Sequence, residues 1–316
     1  MRVLVTGATG FVGRHVVKTL AERGHTVRAV GRSRGREEAV AGSGVEIAYA
    51  DVSDPSTWKA AMDGVDAVVH LVAIIRERRG MTFDAVNHQG TANVAAAAKE
   101  RGVGAFMHLS AVGAQDDAGF PYLRSKWLGE QAVAHSGVSY TILRSSLIFG
   151  PGDEFINALA GTVKAFPIVP LAGDGRAKFQ PIHVLDASRC IADALEREDL
   201  RGKAVEIGGP EQLTYDQIVD AIALTYFLHR WKLHVPIPIM RVLVWLMERL
   251  LPNPPITMHQ LNMLALDNVA RLGAVEEAFG FQPRPLASNI DYIKRITYPD
   301  AYRIALGLMP RHIRDH

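Results

Sequence analysis

Residues 7–13 read Gly7-Ala8-Thr9-Gly10-Phe11-Val12-Gly13, glycines spaced G-x-x-G-x-x-G between an apolar run and a helical pattern. Before them, Val3-Leu4-Val5 is a short strand-forming run. After them, residues 11–23 place Val12, Val16, Val17 and Leu20 on one side of a helix. Strand, glycine turn and helix in that order open a βαβ unit. The first glycine permits a tight turn, the second lets main chain approach a pyrophosphate, and the third lets helix and strand pack closely. The helix start then offers free N–H groups and a positive dipole end to phosphate. Gly7, Thr9, Gly10, Phe11, Val12 and Gly13 are therefore candidate cofactor contacts.

Beyond the turn, apolar runs and helical patterns alternate. Strands are expected at 26–30, 45–50, 67–72, 105–109 and 140–143, with helices at 55–62, 82–99 and 121–134 between them. Residues 67–72 read as an apolar strand buried on both faces, as in a parallel sheet. The fold class is α/β: a doubly wound parallel sheet with right-handed crossovers and a second, smaller C-terminal domain. The first domain is expected at 1–150. After Gly150 the rhythm breaks, and Pro151, Gly152, Pro167, Pro170, Gly173 and Gly175 punctuate a loop-rich region. Strands are read at 179–182 and 204–207, and a helix at 214–224 with Thr214 as its N-cap. The second domain is expected at 151–316, with segments near 178–208 returning to the first.

Cofactor choice is read at the end of the second strand. A binder of an unphosphorylated ribose places an acidic residue there, about 20 residues past the glycines. Here the chain reads Val30-Gly31-Arg32-Ser33-Arg34, with arginines and no carboxylate. A guanidinium such as that of Arg32 clamps a 2′-phosphate in bidentate fashion, so NADPH is expected ahead of NADH. Asp51 and Val52 follow the third strand, where an adenine edge is bound, and Leu71 and Ala73 follow or end the fourth.

Tyr122-Leu123-Arg124-Ser125-Lys126 is Y-x-x-x-K, and residues four apart share one face of a helix. A nearby ammonium favours the phenolate and is expected to lower the Tyr122 pKa. Such a tyrosine acts as general acid or base toward a carbonyl or alcohol. Ser110 is the only hydroxyl in Leu109-Ser110-Ala111-Val112-Gly113. Tyr122, Lys126 and Ser110 are the catalytic candidates. No His or Cys spacing has the acidic support of a metal site, and His108 and His183 read as strand-end residues. The single cysteine, Cys190, excludes an intramolecular disulfide and reads as a buried core residue.

The runs TGATGFVG, YxxxK at 122–126 and PIHVLDAS resemble the extended short-chain dehydrogenase/reductase superfamily. More narrowly, HLVAIIRE, HLSAVGA, LRSSLIFGPGDEF and GDGRAKFQPIHVLDAS resemble its atypical branch, which holds the nucleotide-binding accessory subunit of mitochondrial complex I and bacterial relatives. The resemblance covers most of the chain. It implies a Rossmann domain, a small C-terminal domain and a tightly held nicotinamide cofactor, usually NADPH in the complex I subunit. It makes Tyr122 and Lys126 the active-site pair, gives Lys126 the nicotinamide ribose, and puts Asn87 where active members support the site. Active members also carry a hydroxyl run after the fifth strand; here Val112 stands at the aligned catalytic Ser or Thr, and Arg144-Ser145 lacks the proline that often follows that arginine.

Residues 238–251 form an unusually apolar helical stretch between Pro238 and Pro252, with Arg241, Glu248 and Arg249 confined to about 100° of its circumference. So wide an apolar face is either buried against the core or applied to a membrane, a partner or a lipophilic substrate entry. Arg230 and Lys232 upstream suit an anionic surface, and Arg76-Glu77-Arg78-Arg79 read as a charged loop after the fourth strand. A net charge of +2 gives no argument for nucleic acid. No leader or membrane-spanning run is read, so the expected location is cytoplasmic, with peripheral contact at the inner face of the membrane. Three functions follow: an NADPH-dependent oxidoreductase acting on a lipophilic carbonyl or quinone-related compound, a non-catalytic NADPH-binding accessory subunit of a respiratory NADH dehydrogenase, and, ranked last, a redox-sensing regulator.

Overall fold

The computed structural model describes residues 1–35, 37–78, 80–251 and 254–314; Arg79 and Pro252 of the sequence reading lie outside them. The chain opens with β1 (Arg2–Thr6), α1 (Phe11–Glu22), β2 (Thr26–Gly31), β3 (Val45–Tyr49), α2 (Trp58–Ala61) and β4 (Ala67–His70). It continues through α3 (Gly90–Glu100), β5 (Ala105–Ala111), α4 (Pro121–His135) and β6 (Tyr140–Ser145). Next come β7 (Ile148–Phe149), α5 (Phe155–Ala165), β8 (Ile168–Ala172), β9 (Lys178–Phe179), β10 (Ile182–His183), α6 (Val184–Glu196) and β11 (Ala204–Ile207). The remainder holds β12 (Leu213–Thr214), α7 (Tyr215–Thr225), β13 (Trp231–Val235), α8 (Ile237–Leu250), α9 (Met258–Met263), α10 (Ala274–Phe279), α11 (Tyr298–Ala305) and α12 (Arg311–Arg314).

The chain forms two compact units, Met1–Ser145 with Val184–Ile207, and Ser146–His183 with Gly208–His316. In the first, seven parallel strands lie in the order β11-β6-β5-β4-β1-β2-β3. Every residue of β4 is buried, because helices cover both faces of the sheet. On one face, Leu4, Val68 and Phe106 meet Val94 and Ala98 of α3 and Val133 of α4. On the other, α6 packs against α1, held at the rim where Arg23 meets Asp193 at 2.7 Å and His25 meets Glu196 at 2.8 Å. Cys190 of α6 is fully buried, and burial pushes its thiol pKa up.

The helix expected over 82–99 has two parts, a π-helical turn at Asp84–Gln89 and then α3. The one expected over 55–62 is a 3-10 turn, Pro55–Thr57, leading into α2. The region after Gly150 is more regular than its prolines and glycines imply, since it holds α5, β8 and α6. The strand read at 179–182 is two short bridges, Lys178–Phe179 with Leu213–Thr214 and Ile182–His183 with Ile148–Phe149.

In the second unit, α5 and α7 share a core of Ile156, Val163, Ile218 and Ile222 with Ile293 and Ile304. Thr214 caps α7 in a reciprocal box with Gln217. Asp153 caps the start of α5 by accepting from Ile156 N at 2.6 Å, and its other oxygen accepts from the Tyr292 hydroxyl at 2.7 Å. Burial raises the Asp153 carboxyl from 3.8 to about 6, against the lowering pull of these donors. A raised carboxyl binds its proton in the folded chain while the unfolded chain has released it, so this group's contribution falls as pH rises from about 4 to about 6. Asp153→Asn should therefore flatten that segment of the stability–pH curve by on the order of 3 kcal/mol, measured by urea unfolding across the range.

Candidate functional site

The glycine turn closes with Gly10 N donating to Gly7 O at 3.0 Å, and Gly7 sits at φ +66°, a left-handed conformation that glycine adopts without strain. A Cβ on Gly13 would stand 2.1 Å from the Gly7 oxygen and 2.7 Å from the Ala8 oxygen, so α1 lies directly on the turn. Gly10 caps α1 with no side-chain hydrogen bond and no acidic residue occupies the first turn. The first N–H groups of α1, at Phe11, Val12 and Gly13, are thus left without a side-chain acceptor, as a phosphate cradle requires. Thr9 is half-buried beside them.

β1 and β4 are neighbours, and the chain leaves them in opposite directions across the sheet. Their C-terminal ends form the switch-point crevice of this architecture. The segment leaving β4 is tied down at both ends. Leu71 N donates to Thr6 Oγ1 at 3.1 Å, and the Asn87 amide bonds both Ile74 N at 2.8 Å and Ile74 O at 3.0 Å. Asn87 Nδ2 also donates to Ser125 Oγ at 3.0 Å, and that hydroxyl donates to Tyr122 O at 2.7 Å. Fully buried Asn87 therefore fixes the β4 exit, with Leu71 half-buried and Ala73 exposed, to the helix carrying Tyr122 and Lys126. Gly129 lets that helix come close, since a Cβ there would lie 2.6 Å from Asn87 O.

Under α4 lies a polar layer that sequence reading missed. His70 Nδ1 is 2.8 Å from Thr6 Oγ1, and Nε2 is 3.1 Å from Thr91 Oγ1. Because Thr91 donates its proton to Asn87 O at 2.7 Å, it accepts from His70 Nε2–H, and His70 Nδ1 accepts from Thr6. A directed chain thus runs from Leu71 N–H through Thr6, His70 and Thr91 to Asn87. Burial drives His70 down to about 3, keeping it neutral. His108 was expected at a strand end; it lies inside β5, fully buried and stacked on His70 at 5.4 Å. Burial lowers its pKa as well, with the Lys126 charge adding to the effect. His183 does end its strand, β10, with its ring edge-on to Phe149 at 5.2 Å.

Lys126 is buried and donates to Leu109 O at 2.7 Å, which ties α4 to the end of β5. Desolvation lowers its ammonium to about 8, opposed by Glu130 one turn on. Glu130 is itself buried and held by Arg144 of β6 at 2.7 and 3.0 Å. Tyr122 packs edge-on to Phe83 at 5.9 Å. The expected lowering of its pKa does not occur: desolvation pushes the phenol up to about 12, and the Lys126 charge is not a resolved influence on it. Ser110 is buried on the strand face that also carries Phe106 and His108, its hydroxyl without a protein partner among the described residues. Val112 is buried just past β5.

At the other end of the crevice Arg32 is exposed, with Nη1 3.0 Å from Met81 Sδ, and its charge helps lower the Asp51 carboxyl. The larger cause is Ser53, whose N–H and hydroxyl donate to Asp51 at 2.9 and 2.5 Å. Val52 is buried where Gly90 begins α3; a Cβ on Gly90 would lie 2.8 Å from it. Of the charged loop, Glu77 accepts from Phe83 N at 2.7 Å. Among the described residues no cluster of His, Cys, Asp and Glu is arranged for a metal.

A doubly wound parallel sheet, a glycine turn at its switch point and a Tyr-x-x-x-Lys helix beside it define the extended short-chain dehydrogenase/reductase class. Residues 3–208 match the NAD dependent epimerase/dehydratase family, and the chain belongs to that family. It is 30% identical over 292 residues to the mitochondrial NADH dehydrogenase (ubiquinone) 1 alpha subcomplex subunit 9 of Arabidopsis thaliana, covering 86% of this chain and 71% of that one. It is 31% identical over 186 residues to a ceramide reductase of Caulobacter vibrioides, covering 59% of this chain and 58% of that one. The UDP-glucose 4-epimerase of Thermus thermophilus, solved with NAD, shares the fold with a TM-score of 0.70 at 21% identity over 99% of each chain.

Asn87 holds two main-chain groups of Ile74 that have no other partner in the hydrogen bonds described. Asn87→Ala should lower unfolding free energy by about 2 kcal/mol in urea and raise the hydrogen-exchange rate of the Ile74 amide well above that of its neighbours.

Proposed function

We propose that this protein is an NADPH-dependent oxidoreductase of the short-chain dehydrogenase/reductase type, acting on a lipophilic carbonyl or quinone-related compound. The observation that carries the reading is the pair on α4, Tyr122 and Lys126, anchored to the end of β5 through Leu109 O. The residues fit a nicotinamide dinucleotide: the Gly7–Gly13 turn is closed to any Cβ at Gly13, and the first N–H groups of α1 have no side-chain cap. Gly7, Thr9, Gly10, Phe11, Val12 and Gly13 would hold its pyrophosphate, Arg32 its 2′-phosphate, Asp51 and Val52 its adenine edge. Leu71, Ala73, Asn87, Tyr122 and Lys126 would line its nicotinamide half. When bound, the dinucleotide supplies hydride to the substrate carbon.

Tyr122 gives its phenolic proton to the substrate oxygen. A phenol held at about 12 is protonated at neutral pH, the form that reduction of a carbonyl needs. Lys126 would hold the nicotinamide ribose beside that phenol, and Ser110 contributes the one hydroxyl of the β5 end. The lipophilic substrate class is supported by the similarity to a ceramide reductase.

A second reading is favoured by Val112 and by the similarity to the complex I subunit: a non-catalytic NADPH-binding subunit associated with a respiratory NADH dehydrogenase or with the membrane, acting at the inner face of a cytoplasmic membrane. Purified protein should oxidise NADPH with members of a carbonyl and quinone panel, and Tyr122→Phe should slow this by about 100-fold or more. Bound but inert NADPH in both proteins would decide for the accessory subunit. Arg32→Ala should weaken NADPH binding about 10-fold and leave NADH binding unchanged, as read by fluorescence titration.

A further inference from the structure

The stretch at 238–251, one reading of which buried it in the core, forms α8 with only Met240 and Val244 buried. These pack on Val235 at the end of β13 and on Leu261 of α9. Ile237 and Met247 lean on the same cluster, and the remaining circumference is open and sorted by chemistry. Ile239, Val242, Leu243, Leu246 and Leu250 gather in a sector about 100° wide, all exposed, with Val242 at 58% and Leu250 at 77%. Trp245, Arg241 and Arg249 border that sector on one side, with the Arg249 guanidinium stacked 5.5 Å from the Trp245 ring. The one acidic group of the helix, Glu248, is engaged by Met258 N at 2.9 Å.

The ribbon beneath α8 has the same character. β13 and β8 pair in parallel, Trp231 with Ile168 and Leu233 with Pro170. Their inward residues are Val169 and Leu171, buried, with Lys232 and His234 bonded to Asp220 and Asp216 of α7. Alternation turns Trp231, Leu233, Ile168 and Pro170 to the outer face, where Trp231 is 71% exposed and Leu233 54%. Val235 and Ala172 continue that face and are the part α8 covers.

Aliphatic side chains with no polar group among them, edged by tryptophan and arginine, form the pattern of a helix lying in a lipid interface. The helix carries two arginines against one glutamate, and that positive excess selects anionic headgroups. No described helix is long and apolar enough to cross a membrane, so the element lies on the surface. We propose that the second unit docks on an anionic lipid bilayer through the outer sector of α8 and the outer face of the β8–β13 ribbon. This stands apart from the oxidoreductase reading, because it uses no residue of the crevice.

The test is flotation of the full chain with phosphatidylcholine vesicles, with and without phosphatidylglycerol. The wild type should float with the anionic vesicles, less as salt rises, and tryptophan emission should shift to the blue on binding. The double variant Ile239→Glu with Leu246→Glu, both at exposed positions, should bind about 10-fold more weakly or worse with unchanged thermal unfolding. Arg241→Ala with Arg249→Ala should keep weak binding and lose the preference for phosphatidylglycerol. Failure of the wild type to float with either vesicle, or equal binding by the double Glu variant, would overturn the proposal. So would a wild-type dimer that the Glu variant converts to monomer in the absence of vesicle binding, since the face would then belong to a second copy.

Discussion

The pairing of β1 with β4 is the constraint on which the rest of the first unit depends. Two strands, β2 and β3, are laid to one side of β1, and the chain must then cross back to place β4 on the other. No connection can run over the place where the two halves part, so a crevice opens at the carboxyl ends of those strands. Both walls are then held by short-range polar contacts. The Thr6 hydroxyl ends β1 and receives Leu71 N from the β4 exit, and Asn87 passes the same restraint on to α4 through Ser125. Tyr122 and Lys126 are placed by this bracing as much as by their own helix.

The electrostatics beneath α4 are balanced between burial and one carboxylate. Lys126 loses hydration as it reaches Leu109 O, and it would lose its proton more readily still without Glu130. Glu130 is in turn gripped by Arg144, a bidentate partner of fixed geometry. The imidazoles of His70 and His108 add no competing charge because burial holds them neutral. A cation can thus persist in a poorly hydrated layer, with a single charged network around it.

Much of this was legible in the sequence where spacing alone fixes geometry. Glycines three apart after an apolar strand admit few turns, and residues four apart on a helix share a face, so the Gly7–Gly13 turn and the Tyr122–Lys126 pair were found directly. The alternating apolar runs likewise marked β1 to β6, although β4 ends sooner than its apolar run. Asn87 was named as a site position, but its clamp on the β4 exit was invisible because the atoms it holds there are main-chain groups of Ile74, which carry no sequence signal. His108 was misplaced because an imidazole near the end of a run reads as a boundary, whereas stacking on His70 lets it sit inside the strand. Helix α5 was hidden by the surrounding prolines and glycines; Asp153, three residues before Ile156, was its available start signal. The protonated phenol of Tyr122 depends on burial, which spacing does not report.

The first unit is discontinuous in sequence: β11 and α6 belong to it, yet they are separated from β6 by Ser146–His183. Synthesis from the amino end therefore delivers β6 well before its neighbour. At about 10 residues per second, the ribosome spends some seconds on the inserted stretch while the outer edge of β6 has no strand to pair with. An unpaired edge is a template for unintended association. The nascent chain thus passes through a vulnerable interval that ends only when Ala204–Ile207 emerges, and a chaperone holding the chain at that stage would protect a defined site, the open side of Tyr140–Ser145.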